Sequence, residues 1–274
     1  IHDALTSALV ECDRAYKLPT KVTAIPKGKL IGVQIPPKNT MDDNICVDVY
    51  FQMGTYNVEV CSQLALLEQI LTEPFFDKLR TKEQLGYSVS CSIRQTNRIL
   101  GFTFRVTSST HSPDRVLSSV LSFLHQVPSL ITDMSEEDWM SNRTAAVNDL
   151  LAQPTSLHEA AYDSWTHIEE GDLHFSQDKD EAAVLESTSD RAALVSLVEE
   201  AFLSADRSRV MVIQVSGGLP AKYTVPTLGA AGDDKTTEKR KKKKGGKRKP
   251  PLGSVRAYSK VYIEPKAVGE HGTY

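Results

Sequence analysis

The chain has 274 residues, 40% of them hydrophobic, which is enough for a packed core and excludes wholesale disorder. Its formal net charge of −3 hides a split: nine of the eleven residues 239–249 are Lys or Arg, and taking those nine from the 32 basic residues leaves 23 against 35 acidic, a balance of −12. No apolar run approaches the ~20 residues that span a bilayer, and four scattered cysteines without a C-x-x-C pair argue against a disulfide scaffold or a zinc knuckle.

Cysteine usage of this kind fits a reducing compartment, so a cytoplasmic location is expected. The N-terminus shows no basic-then-apolar secretory signal. It begins Ile1-His2-Asp3 without a Met, so the chain reads as a fragment of a longer protein. In chain order, Leu5, Leu9 and Tyr16 among small apolar residues predict a helix over 3–16, followed by a Pro- and Lys-rich linker. Leu30–Ile35 is short and β-rich, and Pro36-Pro37 stops it. Ile45, Val47, Val49 and Phe51 alternate with Cys46, Asp48, Tyr50 and Gln52, the pattern of a half-buried strand. Residues 57–79 carry the longest helical period, with Val60, Leu64, Leu67 and Leu71 on one stripe and Pro74 late in the run. Two alternating segments, Val89/Cys91/Ile93 and Phe102/Phe104/Val106, flank the polar turn Gln95–Arg98 and predict an antiparallel hairpin.

Ser112-Pro113-Asp114 opens a helix expected to run to about Val127. Ser135–Asp138 is a near capping box, and 155–170 and 189–204 also read as helices. Val210–Val215 suits a buried central strand. Residues 228–253 are too poor in apolar surface to order themselves, and Val261-Tyr262-Ile263 is a last docking segment. The order predicts an α+β fold, a layered sheet with helices packed on it.

Few motifs that carry chemistry are present in the sequence. There is no Walker loop, no G-x-G-x-x-G and no G-x-S-x-G. H-E-x-x-H is absent, and the inverted H-x-x-E-H is approached only by His167-Ile168-Glu169-Glu170-Gly171, where Gly171 stands in place of the second His. The informative stretch is Glu73–Tyr87, EPFFDKLRTKEQLGY. A helix ends in Arg80, a polar link follows, and Gly86 turns the chain into a strand opened by Tyr87. Arg80 offers a fixed donor fork and Tyr87 a phenol, and both could converge on a carbonyl or carboxylate. Taken by themselves they fit better an ordinary helix-terminal cation and an ordinary strand aromatic.

This stretch, and above all the contiguous Leu79–Tyr87, resembles the C-terminal domain of the insulysin (insulin-degrading enzyme)-like zinc metallopeptidases of the pitrilysin, or inverzincin, family. The resemblance implies a metallopeptidase-homology domain in an enzyme of four homologous domains, paired into two halves that close around a peptide. It divides the chain into the trailing helix of a preceding domain with its linker (1–20), a non-catalytic peptidase-family domain (21–227), a disordered basic insertion (228–255) and a tail (256–274). The zinc and its H-x-x-E-H helix belong to a first domain absent from this chain, so the parent is expected to be a zinc metalloendopeptidase and the fragment alone inactive. Arg80 matches the position that hydrogen-bonds substrate backbone. Tyr87 matches the position whose hydroxyl assists at the scissile carbonyl, a catalytic role in metal-assisted hydrolysis. The implied partners are peptide substrates, the N-terminal catalytic half and, since relatives often pair through their C-terminal halves, a second copy in a homodimer.

The alternative from another class is a peptide-binding or assembly scaffold in a catalytically inactive homologue. The basic run of Lys239, Arg240, Lys241, Lys242, Lys243, Lys244, Lys247, Arg248 and Lys249 has two readings, a solvated insertion or a weak polyanion contact. No aromatic residue is interleaved in it, which argues against a single-strand stacking surface.

Overall fold

The computed structural model describes residues 21–37, 39, 41–170, 173–187, 190–216 and 262–263. The predicted helix over 3–16 and the basic run 239–249 lie outside the described residues, as do the insertion 228–255 and all of the tail but 262–263.

Strand β1 (Val22–Thr23) leads to β2 (Lys29–Ile35) and β3 (Ile45–Thr55). Helix α1 (Val58–Phe76) runs into a π-helical turn (Asp77–Lys82), then the hairpin β4 (Ser88–Thr96) and β5 (Ile99–Ser108). Five helices follow: α2 (Pro113–Leu124), α3 (Val127–Thr132), α4 (Glu136–Leu150), α5 (Leu157–Glu170) and α6 (Gln177–Ser187). Helix α7 (Arg191–Val198) with a second π-helical turn (Glu199–Leu203), β6 (Arg209–Val215) and β7 (Tyr262–Ile263) complete the order. The main sheet runs β2-β6-β3-β5-β4, with β2 and β6 parallel and the other pairs antiparallel. The fold is the α+β arrangement expected from the sequence.

Alternation sets the core. In register, Val49 lies between Phe104 and Val212, and Phe51 between Phe102 and Val210, so large side chains of three strands share one face. Helix α1 covers that face with Leu64, Leu67, Leu71 and Phe75, all fully buried. Phe75 meets Phe104 at 5.3 Å and Phe123 of α2 at 5.1 Å between ring centroids, while Phe202 of the second π-helical turn meets Phe51 at 4.5 Å. Truncating a buried aromatic of this kind costs about 3–5 kcal/mol. Asn57 caps α1 by accepting the Val60 N–H at 2.9 Å.

Several boundaries differ from the sequence reading. The helix opened by Ser112 stops at Leu124, not Val127: Gln126 N–H turns back to Phe123, and Pro128, lacking an N–H, starts α3 instead. Ser135 caps α4, but Asp138 accepts its hydroxyl at 2.6 Å, so this is a cap without the reciprocal half of a box. Asp190 caps α7. Strand β6 is interior as expected, yet only Val210, Val212 and Gln214 are buried; its other face is half-buried. Helix α6 has no counterpart among the sequence-predicted elements. Helix α5 buries none of its side chains among the described residues, and leaves Leu157, Tyr162, Trp165 and Ile168 exposed.

Candidate functional site

The stretch Glu73–Tyr87 is a rigid frame with two free ends. Pro74 lies inside α1 without breaking it, and the chain widens into the π-helical turn just after. The Glu83 N–H reaches back five residues to the Lys78 carbonyl at 2.9 Å, and the Leu85 N–H six residues to Leu79 at 2.8 Å. Leu79 and Leu85 are buried and pin both ends of the turn. The Glu83 carboxylate accepts the Ser119 hydroxyl at 2.7 Å and meets Arg115 at 3.5 Å, which ties the turn to α2. Lys78 donates to Gln126 at 3.0 Å, and its ammonium is pushed down by burial against the opposing pull of Glu83. The sequence expectation of a polar link after Arg80 is therefore corrected: helical backbone continues to Lys82 because wide π-type bonds replace α-type ones.

Within this frame Arg80 and Tyr87 point outward. The Arg80 guanidinium lies over the Phe76 ring at 4.8 Å, a contact that orients it without occupying its donors. Tyr87 is 55% exposed while its backbone N–H is fixed on the Thr107 carbonyl at 3.1 Å. Gly86 makes that approach possible, since a Cβ there would lie 2.3 Å from the Thr107 carbonyl oxygen. Among the described residues no hydrogen bond joins Arg80 and Tyr87, which flank one turn. A groove of about 410 Å³ runs beside the turn, lined by Lys78, Lys82, Glu83 and Phe123 among others, but neither Arg80 nor Tyr87 lines it.

The second face of the sheet carries a polar set. Asp48, 7% exposed, accepts Arg105 Nε at 3.0 Å and Nη2 at 2.6 Å, and also the Thr103 hydroxyl. That hydrogen bonding pushes the Arg105 guanidinium further up. Tyr50 fills the space above Gly101, where an added Cβ would collide with its ring.

A further cluster escapes the sequence reading. Glu181 of α6 is 3% exposed; its carboxylate accepts the Tyr56 hydroxyl at 3.0 Å, and its carbonyl accepts the Ser62 hydroxyl at 3.1 Å. Burial pushes the Glu181 carboxyl up, against hydrogen bonds that pull it down, and likewise pushes up the Tyr56 phenol and Cys61 thiol. Cys91 is pushed up to about 12 by burial. None of these thiols is a ready nucleophile. His167 stacks edge-on to Phe175 at 5.8 Å, and Gly171 of the near-miss motif lies outside the described residues. Among the described residues no three His, Cys, Asp or Glu side chains converge as a metal-binding group. No described helix is long and apolar enough to cross a membrane.

The family model of the PQQ synthase PqqF-like C-terminal lobe domain 4 matches residues 66–165, which contain the whole frame. A nardilysin-like protein of Arabidopsis thaliana is 32% identical over 170 residues, 61% of this chain and 17% of its own length. The insulin-degrading enzyme of Homo sapiens is 32% identical over 150 residues, 55% of this chain and 15% of its length. The crystal structure of pitrilysin superposes with a TM-score of 0.66 at 20% identity, over 79% of this chain and 23% of that one. Over residues 66–165 the chain is therefore similar to the C-terminal domains of M16-type metallopeptidases. The chain spans about a fifth or less of the length of the curated relatives it matches. A peptidase M16 inactive domain from Pseudomonas fluorescens also superposes, with a TM-score of 0.50 at 12% identity, which speaks to the fold alone.

Proposed function

We propose that this domain serves a zinc metalloendopeptidase as its substrate-binding C-terminal part, closing the chamber and lending Arg80 and Tyr87 to an active site whose metal is held by the other half. In this reading residues 21–227 belong to that domain, and 1–20 to the end of the one before it together with the linker. The observation that carries this reading is the frame itself: Leu79, Leu85, Glu83 and Gly86 are each fixed by packing or hydrogen bonds, and from that fixed turn both Arg80 and Tyr87 are presented to solvent. A site of this type gains from donors held in place before the substrate arrives.

Arg80 offers its fork to a peptide carbonyl of the bound substrate and fixes its register. Tyr87 donates its hydroxyl hydrogen to the oxygen of the scissile carbonyl as negative charge develops there. The names of two relatives, insulin-degrading enzyme and A-factor-processing enzyme, support peptides as the substrate class. The cysteines Cys46, Cys61 and Cys91, unpaired among the described residues, support a reducing, cytoplasmic setting. The test is peptide cleavage by the full-length parent. Arg80→Ala is expected chiefly to raise KM and Tyr87→Phe chiefly to lower kcat, by roughly 10²–10³-fold for the loss of one oxyanion donor. Near wild-type values for both variants would sink these roles.

A further inference from the structure

Strand β4 is the outermost strand of the five-stranded sheet on the side of the frame. Asn97 and Arg98, with φ of 47° and 60°, form the two-residue turn that closes the hairpin on Thr96 and Ile99. Counting back from that pair, the backbone groups of Arg94, Ser92, Ser90 and Ser88 face β5, and those of Ile93, Cys91 and Val89 face away from the sheet. Ile93 verifies the phase: its N–H leaves the sheet and is taken by the Glu68 carboxylate of α1 at 2.8 Å. The outward edge at Val89 and Cys91 meets no such plug among the described residues.

Edges left open in this way are normally blunted by lysine, proline or a bulge. From Tyr87 to Ile93 the chain reads YSVSCSI, without a charge, a proline or a glycine, and the β4–β5 register is unbroken. Val89 and Cys91 bury their side chains on the side of α1, while the exposed Ser88 and Ser90 are too small to shield the backbone. The open edge begins two residues after Tyr87 and so continues directly from the candidate site.

We propose that the β4 edge from Val89 to Ile93 takes up an extended peptide as an added strand, with Glu68 ending the pairing at the Ile93 N–H. This rests on the reading of the domain as a peptide binder and names how the peptide is held: by backbone pairing, which tolerates varied side chains and requires an unfolded, extended ligand. Tyr87 lies at the near end of that track, and Glu68 sets its far limit.

The test uses the 274-residue chain and a fluorescein-labelled peptide of alternating Thr and Val residues with Lys at both ends. Cys91→Pro removes the central outward N–H without touching a β4–β5 bond, and Cys91→Ala is its matched control. The dissociation constant is expected to rise about tenfold or more in Cys91→Pro relative to Cys91→Ala. In the wild-type chain, amide exchange at Val89 and Cys91 is expected to slow by about tenfold or more at saturating peptide. Equal affinities in two folded variants, unchanged exchange at both amides, or no binding of the probe would each overturn the proposal. If Cys91→Pro does not fold, the exchange measurement decides alone. A parent that loses turnover with Tyr87→Phe but shows no edge protection sinks the edge alone, and the reverse outcome sinks the catalytic reading alone.

Discussion

Gly86→Ala is the smallest change that attacks the frame. The φ of Gly86 lies outside the left-handed region, so a Cβ there is not forbidden by backbone conformation. It is forbidden by proximity: the new atom would meet the Thr107 carbonyl oxygen at 2.3 Å, Val106 Cγ1 at 3.0 Å and the Thr107 carbonyl carbon at 3.1 Å. The first and third of these are backbone of a strand paired on both sides, so they do not yield cheaply. Roughly 1 Å of movement is needed before the first contact reaches ordinary van der Waals separation. The β4 entrance is the part that gives, and the Tyr87 N–H bond to Thr107 is stretched or lost. Overpacking of this size costs about 1–3 kcal/mol, and about 1 kcal/mol shifts the melting temperature of a domain this large by about 2–4 °C. Thermal unfolding followed by circular dichroism should therefore show a drop of about 2–12 °C. In the parent enzyme the displaced Tyr87 should lower kcat/KM by up to about 10²-fold. A melting temperature unchanged within error, together with unchanged amide protection at Tyr87, would refute the claim that close approach is what glycine serves here.

Two further outcomes follow from buried charges. Asp48→Ala leaves Arg105 and Thr103 without their shared acceptor on the open sheet face, and should cost about 2–3 kcal/mol in urea unfolding, since Asp48 is buried and Arg105 only half so. An effect under about 0.5 kcal/mol would show that water replaces the pair without loss. For Glu181, burial raises the folded-state carboxyl above its unfolded value, so the folded state binds more protons through that window. Its contribution is fully present below the unfolded value and is lost as pH rises through the raised one. Unfolding free energy measured against pH should fall across that window in the wild type and flatten in Glu181→Gln; an identical slope in both proteins would count against this carboxyl.

The two-residue period makes β3, β4 and β5 legible, and by itself it assigns Val47, Val49 and Phe51 to one face, which is the buried one. It also puts Asp48, Thr103 and Arg105 on opposite faces from the aromatic residues, but their convergence needs the β3–β5 register, which no single strand encodes. Helix α6 is hidden because QDKDEAAVLES has almost no apolar period; it is held by Ala182, Leu185 and a buried Glu181 rather than by a stripe. The π-helical turn is hidden because side-chain spacing carries no mark of five-residue backbone bonds. Gly86 is readable as punctuation, while its reason, the Thr107 carbonyl, lies twenty-one residues away in sequence. Nothing in the spacing around Glu68 marks it as the acceptor of the Ile93 N–H at the edge of β4.

The central claim is that Tyr87 acts on the reacting carbonyl of a substrate cut in the other half of the parent. Its most direct measurement is kcat of full-length Tyr87→Phe on a saturating peptide, with zinc content and melting temperature matched to wild type. A fall of roughly 10²–10³-fold is expected, the loss of one preorganised donor to an oxyanion. A kcat within about threefold of wild type would contradict the claim, because Phe keeps the ring in place and removes only the hydroxyl.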